Sequence, residues 1–256
     1  MTESGDLFPT QEPVDKDLST FQMGLKDQKR HVETLLLTNS CIYKDIPITL
    51  TDAYRTSKTP AQLEAASSLL LGIIEERAPL LEFFPGLKVA FENKPVVVEF
   101  NGKRDTVLPD MSYSFPTISI SERSQIADSV FDHEGGHHIH TAFTDADNEE
   151  LLRKHEWNII EQDGTIRLAT RTDLLAIMGD GTDDDQTITG SENERYSPKW
   201  EYIHPGGVKR KGYRYSNPKE MVAEVVADNM ETMLQLIKGE KMNGQRQIIE
   251  YILEKL

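Results

Sequence analysis

Residues 131–140 read Phe-Asp-His-Glu-Gly-Gly-His-His-Ile-His, and this string constrains the chain more than any other. His133 and His137 are four apart, so a helix through them brings both imidazoles to one face, about 5–6 Å between Cβ atoms. Two ring nitrogens can then meet one metal ion. Glu134 projects beside that ion, where it can take a proton from water rather than act as a ligand. The pattern His-Glu-x-x-His is the mark of zinc hydrolases. Gly135 and Gly136 are costly here, since each destabilises a helix interior by about 1 kcal/mol relative to Ala. A close backbone approach, by a neighbouring strand or a substrate, is the expected reason for them. His138 points away from the metal face. His140 can reach toward the ligands, but a surface position is the simpler expectation for both.

The flanking sequence supports a helix at this place. Apolar positions at Ile126, Val130 and Ile139 predict a helix from about Ser121 to Phe143, following a short strand at Thr117–Ile120. Upstream, Lys88–Phe91 and Val96–Phe100 read as strands, and Asn101-Gly102 is the signal for a tight hairpin returning through Thr106–Leu108. Helices are expected over Phe21–Leu37, with a loop through Pro47, and over Pro60–Arg77, where Thr59 caps and Pro60 takes the first helical position. Further helices are expected over Asn148–Gln162, ended by Asp163-Gly164, then over Pro218–Lys238 and Gly244–Glu254. The fold class is α+β. Residues 1–20, rich in Asp, Glu, Pro, Ser and Thr, predict a mobile leader, and 21–256 a single domain. The acidic run Asp180, Asp183, Asp184 and Asp185 lacks the alternation of a helix-loop-helix calcium site and reads as a solvated loop.

Charge and cysteine usage narrow the chemistry. A net charge of −15 over 256 residues repels a phosphate backbone, so nucleic acid is not an expected partner. There is no apolar run of the roughly 18 residues a membrane helix needs, and no secretory signal at the N-terminus. The default expectation is the cytoplasm, with export by a route that reads no such signal, or delivery into another cell, left open. The single cysteine, Cys41, cannot close an internal disulfide.

A catalytic zinc takes three protein ligands and keeps one position for water. A metzincin would carry His at position 143, which is Phe143. Peptide deformylases take a thiolate from a Glu-Gly-Cys string, whereas Cys41 stands in Asn-Ser-Cys-Ile. A carboxylate from a second helix remains. Glu220 and Glu224 are four apart on one face of the helix starting at Pro218, so one can bind the ion while the other orients a ligand. Glu220 can also complete a cap with Asn217 and Pro218.

The set His133-Glu134-x-x-His137, Tyr213, Glu220 and Ala223-Glu224 resembles the gluzincin metallopeptidases of the anthrax lethal factor type. The match covers about 35 residues in two segments. It implies a zincin-like metallopeptidase domain with a small mixed sheet, one helix bearing the His-Glu-x-x-His pattern and a second bearing the Glu ligand. It further implies one Zn2+ held by His133, His137 and Glu220, Glu224 behind them, Glu134 as the base, and Tyr213 as donor to the oxyanion. Tyr215, Tyr202 and His204 are rival donors.

The expected activity is hydrolysis of peptide bonds, with a protein or peptide as partner and Thr117–Ile120 as the edge strand that pairs with it. The basic island Lys209–Arg214 either selects an acidic group or is a solvated loop. Two other readings stay open: a zinc-binding interaction protein without turnover, and a hydrolase of some non-peptide bond.

Overall fold

A five-stranded mixed sheet and the helices around it position the histidine-bearing segment. The computed structural model describes residues 15–100, 103–155, 157, 159–162, 164–168, 202–203, 209–210 and 218–256. Helix α1 spans Asp15–Thr38, so the stretch expected as a mobile leader is already helical from Asp15, while residues 1–14 lie outside the described ones. Residues 40–50 overturn the expected loop: β1 (Ser40–Tyr43) and β2 (Ile46–Leu50) form an antiparallel hairpin. Its turn residues Lys44 and Asp45 take φ of 48° and 61°, a geometry that Asn and Gly usually announce.

After α2 (Asp52–Thr56), α3 (Pro60–Leu81) starts at the expected cap Thr59, which forms a capping box with Gln62, but it runs past Arg77 and through Pro79. Complete burial of Leu80 and near-complete burial of Leu81 offset the backbone hydrogen bond lost at the proline. Strands β3 (Lys88–Phe91) and β4 (Val96–Phe100) fall where the pattern places them, and β4 pairs with β5 (Lys103–Val107) in a separate hairpin. Two further strands follow, β6 (Met111–Ser114) and β7 (Thr117–Ile120).

The sheet order is β1-β2-β3-β7-β6, with β2, β3 and β7 parallel and an antiparallel hairpin at each end. Thr117–Ile120 is therefore internal, contrary to expectation. The edge on that side is β6, which the sequence pattern did not predict. Ile48, Leu50, Val89, Phe91, Ile118 and Ile120 form one core with residues of α1 and α3.

Helix α4 (Asp128–His140) carries the histidines. It starts later than Ser121, because Ser121 holds the preceding turn itself, accepting at Oγ from Arg123 N–H and at its carbonyl from Ser124 N–H. Helix α5 (Asp145–Lys154) is set by a capping box of Thr144 and Asp147 and ends well before Gln162. The residues expected to continue it form a hairpin of β8 (Ile159–Gln162) and β9 (Thr165–Leu168), with Gly164 at φ 76° in the turn. Asp163-Gly164 is a hairpin signal here, not a helix stop. Two-residue strands β10 (Tyr202–Ile203) and β11 (Lys209–Arg210) pair with each other. Helices α6 (Pro218–Lys238) and α7 (Gln245–Lys255) close the chain close to expectation.

A second core unites Ile139 of α4, Leu151 of α5, Val222, Val226 and Met233 of α6, and Ile248 and Ile252 of α7. The result is an α+β fold with a small mixed sheet. Among the described residues no helix is long and apolar enough to cross a membrane.

Helix α4 is held by two other helices. Arg77 of α3 makes a bidentate pair with buried Asp132, Nε to Oδ1 and Nη2 to Oδ2, each 3.0 Å. One turn further along the helix α6 crosses at Gly136, where a Cβ would stand 2.7 Å from Ala223 Cα and 3.0 Å from its carbonyl oxygen. The close approach expected for the glycine pair is thus made by a helix, and only at Gly136, since a Cβ at Gly135 would meet nothing within 4 Å. Opposite signs follow for the two neighbours in urea denaturation. Gly135→Ala is expected to raise the unfolding free energy by up to about 1 kcal/mol, and Gly136→Ala to lower it by about 1–3 kcal/mol through overpacking. Equal shifts of the same sign would contradict this packing.

Candidate metal centre

The spacing of α4 puts the rings of His133 and His137 edge to face, with centroids 4.9 Å apart. Glu220 comes to them from the first turn of α6. Its Oε2 lies 3.1 Å from His133 Nε2 and 3.5 Å from His137 Nε2. The three donors lie within 4.8 Å of one another, and this group could hold a metal ion. Donors arranged tetrahedrally at about 2.0–2.1 Å from zinc stand about 3.3 Å apart, so these two separations bracket the required edge. Each of the three side chains is about 15% exposed or less, enough to limit water without closing the site.

Glu224, one turn further along α6, lies with Oε1 3.2 Å from His133 Nδ1. It therefore faces the nitrogen that does not face Glu220, which orients the ring and fixes its proton on Nδ1 when a metal takes Nε2. Glu134 is buried beside the group without joining it. Burial raises its carboxyl pKa above the usual range, against the opposing pull of the nearby His137 and His133 and of the Tyr113 backbone N–H. A raised carboxyl is a stronger base when ionised.

His133, Glu134, His137 and Glu220 line an open cleft of about 820 Å³, bounded by β6, α4, Val96 and Val107 of the β4–β5 hairpin, and Lys219. His140 is also in its wall rather than at the surface. Its Nε2 donates to Asn148 Oδ1 at 3.0 Å, since the Asn148 amide nitrogen is used on Thr144 O, and burial depresses the ring to about 4 and keeps it neutral. His138 does point away from the metal face, but it is buried, 3% exposed, between Phe84 O and the Tyr113 hydroxyl.

Tyr213, Tyr215 and His204 lie outside the described residues, as does the side chain of Tyr202. The same holds for the acidic run at 180–185 and for Lys211–Arg214, of which only Lys209-Arg210 of the basic island is placed, in β11. Two groups that sequence reasoning missed stand at the site. Tyr113 sits on β6, whose only sequence signal is the alternation of Met111 and Tyr113 with Ser112 and Ser114. Arg77, the ionic anchor of α4, lay in a helix read only for its apolar spacing. No protein-family description, curated protein or solved structure matches the chain.

The charges impose a pH dependence. Burial lowers His133, but the hydrogen bond to Glu220 and the carboxylates of Glu134, Glu220 and Glu224 outweigh it and hold its pKa above the ordinary 6.5. Burial would likewise raise Glu220, yet hydrogen bonds and charge from His133 and His137 pull it down to about 2. In the metal-free protein, His133 thus adds stability that is fully present below 6.5 and lost as pH rises through its raised value. Glu220 adds stability present above its ordinary 4.5 and lost as pH falls toward 2. A divalent ion must displace the His133 proton, so its binding strengthens as pH rises. Thermal melts from pH 5 to 8 are expected to show a zinc-induced increase in Tm that grows with pH and is still growing above 6.5. An increase independent of pH would contradict the site.

Proposed function

We propose that the chain is a zinc-dependent hydrolase of peptide bonds with a zincin-like fold. The observation that carries this reading is the convergence of His133 Nε2, His137 Nε2 and one oxygen of Glu220, from two helices, with the buried carboxylate of Glu134 beside them and outside the ligand group. Two imidazoles and a carboxylate suit zinc, and the lone thiol, Cys41, is buried in the separate core of α1 and the sheet. The chemistry zinc supplies when bound is Lewis acidity, which lowers the pKa of water at its open position to about 7 and polarises a carbonyl oxygen.

The chain's own residues do the rest. Glu134, with its raised pKa, takes the proton of the attacking water and passes it to the leaving amine. Glu224 keeps the His133 ring oriented. Among the described residues strand β6 pairs with β7 on one side only, and it lines the cleft, so a peptide in extended form can pair with its outer edge and bring a scissile bond over the histidines. Tyr213 keeps its assignment as oxyanion donor through the resemblance alone.

A broad peptide-library digest, with zinc analysis of each protein, tests this reading. Glu134→Gln is expected to keep zinc and lose about 10²–10⁴-fold in rate. Glu220→Ala is expected to lose both zinc and cleavage. Cleavage at the parent rate by Glu134→Gln would refute the mechanism. A parent protein that holds zinc and cleaves no peptide would favour a binding protein or a hydrolase of another bond.

A further inference from the structure

Tyr113 is the one residue of β6 that reaches three parts of the site. Its ring lies nearly parallel to that of His137, 17° between planes with centroids 6.2 Å apart. Its backbone N–H faces the Glu134 carboxylate. Its hydroxyl is 2.9 Å from His138 Nδ1, and His138 Nε2 is 2.9 Å from Phe84 O, in the turn after α3. A carbonyl oxygen can only accept, so Nε2 carries the His138 proton. In the neutral ring Nδ1 is then bare, and the phenol donates to it. Phe115 stacks over the same imidazole, centroids 6.4 Å apart.

We propose that Tyr113 is a positioning residue, holding the His137 ring and the Glu134 carboxylate in register, and that the buried His138 imidazole locks it there. The catalytic half of this proposal rests on the hydrolase reading, and the metal half does not. A phenol free of His138 can rotate about χ1 and χ2, and its ring then leaves His137. A phenol held by one directed hydrogen bond cannot. The lock runs from Phe84 through His138 to Tyr113, so it ties the edge strand to α4 behind the two groups that must stay aligned.

The test uses the full chain and four variants: Tyr113→Phe, His138→Leu, His138→Asn, and Tyr113→Phe combined with His138→Leu. Zinc affinity is measured by chelator competition, and kcat and KM on a cleaved library peptide. Tyr113→Phe and His138→Leu are each expected to weaken zinc about tenfold, the lower end of the range for groups behind a ligand. Each should lower kcat about as much while leaving KM nearly unchanged, as for an interaction that aligns reacting groups. The double variant should be no worse than the worse single one, since both remove the same hydrogen bond. His138→Asn, whose Oδ1 can replace the Nδ1 acceptor, should recover much of the zinc affinity lost in His138→Leu.

A lowered Tm with zinc affinity and kcat unchanged in both single variants would reduce the pair to a structural contact and overturn the proposal. Should His138→Leu fail to fold, Tyr113→Phe, which deletes a single oxygen, decides alone. A parent protein that binds zinc but cleaves nothing defeats the hydrolase reading, and zinc affinity still decides this one. A parent protein that binds no zinc overturns both.

Discussion

The contact between Gly136 and Ala223 governs the geometry of the site. Gly136 lies three residues after His133 and one before His137, and Ala223 lies three after Glu220 and one before Glu224. Residues three and four apart share a helix face, so the crossing point stands within one turn of all four side chains. A backbone approach that would leave a Cβ only 2.7 Å from Ala223 Cα is what lets a glutamate on α6 reach two imidazoles on α4 at 3.1 and 3.5 Å. A side chain at position 136 would wedge the helices apart and lengthen both separations. The helix propensity given up at Gly136 is therefore the cost of bringing the donors together.

Around this crossing the charges sit where water is scarce. The bidentate pair of Arg77 and Asp132 holds α4 from the side of α3, one residue before the first histidine. A buried pair of this kind is weak evidence for stability, but leaving either partner alone is strongly unfavourable, so it fixes the rotation of α4 about its axis. With that rotation set, His133 lies between Glu220 and Glu224, and Glu134 is turned toward the cleft rather than the core. The packing of the two helices sets which groups can bind an ion. Their burial sets how strongly each holds a proton.

The parts of the site that depend only on local geometry were legible in the sequence. The spacing of His133, Glu134 and His137 has one meaning on a helix, and Asn217-Pro218 marked the helix that presents Glu220 and Glu224. What depends on distant contacts was not. Five residues between Pro109-Asp110 and Pro116 are too few to distinguish a strand from a loop, so β6 and Tyr113 went unread. Whether β7 is an edge is a property of strand order, which no stretch of chain contains. His138 looked like a surface residue because polarity at a helix position says nothing of a carbonyl such as Phe84 O waiting to accept. The hairpin at 40–50 was hidden by Lys44 and Asp45 at positive φ, and the β8–β9 hairpin by reading Asp163-Gly164 as a helix end.

The proposed site holds one ion between two imidazoles of α4 and one carboxylate of α6. X-ray absorption at the zinc edge of the loaded protein tests it most directly. The expected spectrum shows nearest neighbours of nitrogen and oxygen only, at about 2.0–2.1 Å, with the outer scattering of two imidazole rings. A sulfur shell near 2.3 Å, or the signature of fewer than two imidazoles, would contradict it.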